Sequence, residues 1–154
     1  MSDSQSRFAE FIKACTKVLE LPDPTIGGDN YLFQVGDRWV ELKRNERGDL
    51  VNFLSAIYLA PPDGELRDDL IASFNTHYLF NGGFSLVADP ENGRIYLGRT
   101  HRLAALDARD IRRELLAFAG TASMAGTWYM RNEDETTAPP SAPPRENPGS
   151  FLKV

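Results

Sequence analysis

Residues 31–42, YLFQVGDRWVEL, constrain the fold more than any other stretch, because their pattern sets a hairpin, its register and two unlike faces. Two runs rich in β-branched and aromatic residues flank Gly36-Asp37, and a glycine at the first position of a two-residue loop supplies the positive φ that such a turn needs. With that loop Val35 faces Arg38, Phe33 faces Val40 and Tyr31 faces Leu42. Side chains alternate with period two, so one face carries Tyr31, Phe33, Val35, Val40 and Leu42, capped by Arg38, and reads as core. The other carries Leu32, Gln34, Trp39, Glu41 and Lys43. Charge mixed with two large apolar side chains is the composition of a half-solvated protein-contact surface. For the hairpin alone, the more ordinary reading places Trp39 beneath a helix or loop of its own chain.

The rest of the chain supplies elements that cover this hairpin. Residues 6–21 place Phe8, Phe11, Ile12, Cys15, Val18 and Leu19 at helical spacing, with Pro22 and Pro24 as a stop. Asn45-Glu46-Arg47-Gly48 suits a type I turn closed by a left-handed glycine, and residues 50–59 follow as a strand apolar on both faces, expected to be central and covered on both sides. A three-residue loop would put Val51, Phe53 and Ile57 on the face of Trp39; a four-residue loop would reverse this. Helix two is expected from Glu65 to about Phe80, with Leu66, Leu70, Ile71, Phe74 and Tyr78 as its stripe and Asn81-Gly82-Gly83 as its end. A second hairpin turns at Asn92-Gly93. Asp107 then caps a last helix whose stripe is Ile111, Leu115, Phe118, Ala119 and Ala122, with Trp128, Tyr129 and Met130 as its extension and Gly120 and Gly126 as weak points. The order is helix, three strands, helix, two strands, helix. This is an α+β domain over residues 1–132, with an antiparallel twisted sheet packed by helices. From Glu133 five of the ten prolines fall in a nearly apolar-free segment, read as a disordered or polyproline-like tail over residues 133–154.

The composition narrows the chemistry. A net charge of −5 argues against wholesale binding to nucleic acid or an anionic membrane, since phosphate affinity comes from Lys and Arg. The arginines at 94, 99, 102, 109, 112 and 113 form the basic concentration of the chain, but Asp107, Asp110 and Glu114 interleave with them as in a salt-laced helix surface. One cysteine excludes an internal disulfide and agrees with a reducing compartment. An acidic start without an apolar core segment, and no long apolar run, give a cytosolic expectation with no membrane insertion. Cys15 sits inside an apolar stripe as a small hydrophobe, and two histidines offer no zinc set. His77 reads as structural or exposed, and His101 has no orienting partner in the sequence. Neither a catalytic constellation nor a cofactor motif is present, so the expectation is a non-enzyme without cofactors or metals. Arg47-Gly48-Asp49 reads as turn chemistry and residues 138–144 as a solubilising segment rather than a ligand.

In element order the chain resembles the class I type III secretion chaperones, the Tir-chaperone-like family of small bacterial cytosolic proteins. The carriers are the opening helix FAEFIKACTKVLEL, the hairpin YLFQVGDRWVEL, the strand LVNFLSAIYLAPP leading into LRDDLIASFNTHYLFNGG, and FSLVADPENGRIYLGRT before the last helix. They cover residues 8–130; the Pro-rich tail departs from the family pattern. The resemblance implies a homodimer that binds the extended N-terminal segment of secreted effectors and keeps it secretion-competent, with the secretion ATPase as a candidate further partner. It places the dimer interface on Leu70, Phe74, Tyr78, Phe84, Leu86, Ile95 and Leu97. It places effector contacts around the first helix and early strands, hence on Leu32, Gln34 and Trp39, with Phe8, Phe11 and Phe53 behind them. The alternative is a regulatory or adaptor domain of the same fold that binds a folded partner.

Overall fold

A computed structural model describes residues 3–22, 28–58, 64–89 and 91–137. Its elements are α1 (Asp3–Val18), β1 (Asn30–Val35), β2 (Arg38–Arg44), β3 (Leu50–Tyr58), α2 (Gly64–Gly82), β4 (Phe84–Ala88), β5 (Ile95–Arg102) and α3 (Ile111–Thr137). The strands form one five-stranded sheet in the order β1-β2-β3-β5-β4. The α+β class and the element order are those expected. The chain divides into two compact units, one holding residues up to Leu54 with Arg99–Ala119, the other Ser55–Gly98 and α3 from Gly120 onward.

In the first unit, the β1–β2 pairing has the register that the turn dictates: Val35 opposite Arg38, Phe33 opposite Val40, Tyr31 opposite Leu42. Gly36 has a φ of +64°, the left-handed value that a side chain would strain. Phe33, Val40 and Leu42 are buried, while Leu32, Gln34 and Trp39 face outward and are exposed. The next loop resolves the open register of β3. Asn45 accepts hydrogen bonds at its side-chain oxygen from the backbone N–H groups of Gly48 (2.8 Å) and Leu50 (3.1 Å), and the chain turns over four residues. Leu42 therefore pairs with Phe53 and Arg44 with Val51. Val51 and Phe53 lie on the core face, opposite to Trp39, and the Phe53 ring meets Phe118 of α3 edge-on at 5.8 Å. β3 is central as expected, but only one face is buried; Asn52 and Leu54 on the other are half-exposed.

α1 begins and ends earlier than the sequence predicts. Its stripe of Phe8, Ile12 and Cys15 is buried, with Phe8 edge-on to Tyr31 at 5.8 Å. The helix stops because Glu20 takes a left-handed φ of 58°, the Leu21 N–H donates to the Thr16 carbonyl at 2.9 Å and the Glu20 N–H to the Lys17 carbonyl at 3.2 Å. This is a Schellman cap, and it turns Leu19 and Leu21 away from the helix before Pro22 is reached. Residues 23–27 lie outside the described ones.

In the second unit, Leu70, Phe74 and Tyr78 of α2 are buried, and Phe74 stacks on Tyr78 at 4.4 Å. The Asn75 amide brackets one residue of β4: its nitrogen donates to the Leu86 carbonyl (3.1 Å) and its oxygen accepts from the Leu86 N–H (2.7 Å). α3 runs on as one helix past Gly126. Burial of Trp128 and Tyr129 explains this. Trp128 meets Phe74 at 5.4 Å and Tyr129 meets Tyr58 at 5.3 Å, and roughly 1.5–3 kcal/mol per buried large side chain outweighs the ~1 kcal/mol propensity cost of a helical glycine. The helix reaches Thr137, five residues into the segment assigned to the tail from residue 133. The remaining tail, 138–154, lies outside the described residues, as does the side chain of Leu66.

Candidate functional site

β1 is an end strand of the sheet, and the hairpin register states which of its backbone groups face outward. In a two-residue hairpin the residues flanking the loop exchange both hydrogen bonds, and the pairs then alternate. Val35, Phe33 and Tyr31 thus bond to β2, while the N–H and C=O groups of Leu32 and Gln34 point to the open edge. The same two residues put their side chains on the outer face. Leu32 is 61% exposed and Trp39, opposite Gln34, is 55% exposed. Polar contacts frame the pair: Asn30 donates to the Glu41 carboxylate at 2.8 Å, and the Gln34 amide donates to the Gly36 carbonyl at 3.3 Å. The other end strand differs, because Asn75 already occupies both backbone groups of Leu86 on β4.

Among the described residues of the first unit, a shallow cleft of about 590 Å³ runs along Arg109, Asp110, Arg112, Arg113, Leu116 and Ala117, and two further clefts lie nearer α1. One, of about 260 Å³, lies against β1 and is walled by Leu19 and Leu21 after α1, Phe33 and Val35 of β1, and Leu115 and Leu116 of α3, with Arg112 beside them. Leu21 and Leu116 are 47% and 59% exposed. The second, about 620 Å³, is lined by Arg7, Glu10 and Phe11 of α1, by Arg47 and Asp49 of the β2–β3 loop and by Leu103. It is polar as well as larger. Its Asp49 carboxyl is held below the usual carboxylate range, first by the hydrogen bond from the Asn45 side chain at 3.0 Å.

The expected contact residues therefore separate. Leu32, Gln34 and Trp39 lie together on one exposed face. Phe11 is half-buried on the wall of the larger cleft. Phe8 and Phe53 are buried in the core of their unit, each about 1% exposed, so a partner cannot touch them on the surface; for Phe53 the four-residue loop is the reason. The residues assigned to a dimer interface, Leu70, Phe74, Tyr78, Phe84, Leu86, Ile95 and Leu97, are likewise buried within the single chain. They build the second unit's core. Among the described residues, the large apolar side chains which that unit leaves exposed are Val87 and Met130. Leu21, Leu116 and Arg112 are not among the expected contacts, whereas Leu19 belongs to the first helix's stripe, whose residues outside the core are expected to contribute. The one available signal was Leu116, an apolar residue off the buried stripe of α3.

The larger cleft gathers Arg7, Glu10, Arg47 and Asp49, and neither His nor Cys lines either of the two clefts nearer α1. Burial pushes the Cys15 thiol up to about 12, which suits a core residue and not a nucleophile. His101 packs on Phe53 at 4.7 Å; burial lowers its pKa, Arg99 lowers it further and Glu114 opposes them. Among the described residues no group of three His, Cys, Asp or Glu side chains could hold a metal ion, and no helix is long and apolar enough to cross a membrane.

No family model and no curated protein matches the sequence. Solved structures do. A chain of the ExsC–ExsE complex superposes with a TM-score of 0.63 at 16% identity, covering 92% of this chain and 100% of the other. A chain of the HopA1–SchA chaperone–effector complex gives 0.58 at 14% identity, covering 87% and 98%. A chain of the heterodimeric ExoU–SpcU complex from the type III secretion system of Pseudomonas aeruginosa gives 0.55 at 18% identity, covering 75% and 95%. With TM-scores above 0.5 and near-complete coverage of each neighbour, this chain has the fold of the class I type III secretion chaperones.

Proposed function

We propose that the protein is a bacterial cytoplasmic chaperone, working as a homodimer, that binds the N-terminal, non-globular segment of a type III secreted effector and keeps it extended for export, where the secretion ATPase is a further partner. The observation that carries this reading is β1: an end strand whose outward backbone groups and exposed Leu32 side chain belong to one edge, with an apolar cleft on its other face. An extended peptide adds to such an edge through main-chain hydrogen bonds while alternate side chains enter pockets. The client must give up its disorder to do so, and several apolar anchors at roughly 1.5–3 kcal/mol each are what offsets the ordering entropy. Leu32, Gln34 and Trp39 are the first contacts, with Phe11 behind them. The dimer joins through surface beside the second unit's buried residues, where Val87 is exposed.

The test is co-purification from the native cytosol, with the mass of the complex measured before and after limited proteolysis. Two copies of this chain holding one protease-resistant N-terminal segment of a larger protein is the expected result. A monomer, or a complex with a folded protein and no protected extended segment, would replace this reading with that of an adaptor domain.

A further inference from the structure

The leucine-walled cleft beside β1 contains one charged lining residue, and its chemistry is specific. Arg112 is exposed, and among the described residues it makes no ion pair, whereas Arg109 is held by Asp107 and Arg113 by Asp110 and Glu114. Asp107 also caps the 3-10 turn that leads into α3, accepting from the Arg109 N–H at 2.9 Å. The neighbouring arginines are thus committed to the helix start, and Arg112 stands at the border between the apolar cavity and the open cleft that holds Asp110, Leu116 and Ala117. A guanidinium there matches a carboxylate in a planar, charge-assisted pair.

We infer that this cleft is a subsite for a client residue pair: an apolar side chain that enters between Leu21, Phe33 and Leu116, and an Asp or Glu two positions away in the client that pairs with Arg112. The inference rests on the chaperone reading above and adds the sequence preference of its client. At about 260 Å³, the cleft falls below the roughly 300–1,000 Å³ usual for small-molecule pockets and suits one or two side chains. The spacing follows from the two elements. Arg112 and Leu116 are four residues apart on α3, a rise of about 6 Å. Residues i and i+2 of an extended chain share one face and lie about 6.8 Å apart. An apolar-x-acidic triplet therefore presents its two side chains at the separation of the two wall residues.

The experiment is selection from a library of random linear peptides on the immobilised full-length protein, run in parallel on the Arg112→Glu variant, with selected peptides measured by fluorescence anisotropy. The expected result is enrichment of apolar residues two positions from Asp or Glu on the native protein, and from Lys or Arg on Arg112→Glu. The best acidic peptide should lose about fivefold in affinity on Arg112→Gln, the size expected of an accessible ion pair, while its Asn counterpart binds both proteins equally. Melting curves of both variants that match the native protein establish that the surface change left the fold intact. Extended apolar peptides selected with no acidic preference, or with one that Arg112→Glu does not reverse, would overturn the subsite and leave the chaperone reading standing. Failure of the native protein to select any extended peptide would overturn the chaperone reading itself, and the subsite with it.

Discussion

Trp39→Ala separates client contact from fold. Trp39 lies opposite Gln34 on the outer face and is 55% exposed. A tryptophan presents at most roughly 250 Å² for burial, so at 55% exposure about 140 Å² remains to be covered, worth about 3.5 kcal/mol at ~25 cal/mol per Å². An extended segment crossing the hairpin covers about half of that surface, which gives about 1.7 kcal/mol, or roughly a 15-fold rise in Kd. The fold loses far less. A cross-strand pair on an exposed face contributes about 0.2–1 kcal/mol, and no core residue on the opposite face touches the change. Isothermal titration with the client segment, beside sedimentation equilibrium and a melting curve, measures all three quantities. An unchanged Kd would refute the assignment of Trp39 to the contact surface. A collapse of the melting transition would refute the claim that this face is dispensable for folding.

Other perturbations probe the remaining parts of the account. Leu32→Pro removes an outward N–H at an edge strand, where proline is tolerated; the fold should persist by circular dichroism while client affinity falls at least tenfold, about 1.4 kcal/mol. Glu20→Gly relieves the left-handed residue that caps α1, and thermal or urea unfolding should show a gain of up to ~1 kcal/mol. Asn75→Ala strips both hydrogen bonds from Leu86 and should cost about 1–3 kcal/mol in urea unfolding. His101, packed on Phe53, has a folded pKa below its ordinary 6.5 because burial disfavours the cation. The unfolded chain then binds the proton first. Stability is full above pH 6.5 and falls as pH drops through that value toward the folded pKa; His101→Gln should flatten this slope in urea titrations taken across the range.

The hairpin was legible because two short-range rules agree there: Gly36 fixes the turn, and period-two alternation assigns every side chain to a face. Face assignment failed to propagate into β3 because it depends on one loop residue, and the bonds from Gly48 and Leu50 to the Asn45 side chain set that number. Phe53 consequently belongs to the core. The end of α1 was read from Pro22, but a non-glycine residue in the left-handed region closed the helix earlier, which no propensity signals. That cap is also what delivers Leu19 and Leu21 to the cleft. The cleft itself joins residues from α1's end, β1 and α3, so its existence depends on packing between elements distant in sequence. The buried α2 and β4–β5 residues show the same limit from the other side: apolar spacing identifies a face to be covered and does not say whether the chain or a partner covers it.

Amide hydrogen exchange on the protein with and without its client segment tests the central claim most directly, because it reads the β1 edge itself. The account predicts that the amides of Leu32 and Gln34, which point away from β2, exchange rapidly in the free protein and become protected when the client binds, while those of Phe33 and Val35 are slow in both states. Client binding that leaves Leu32 and Gln34 exchanging at their free rates would contradict strand addition at β1 and remove the physical basis of the proposed function.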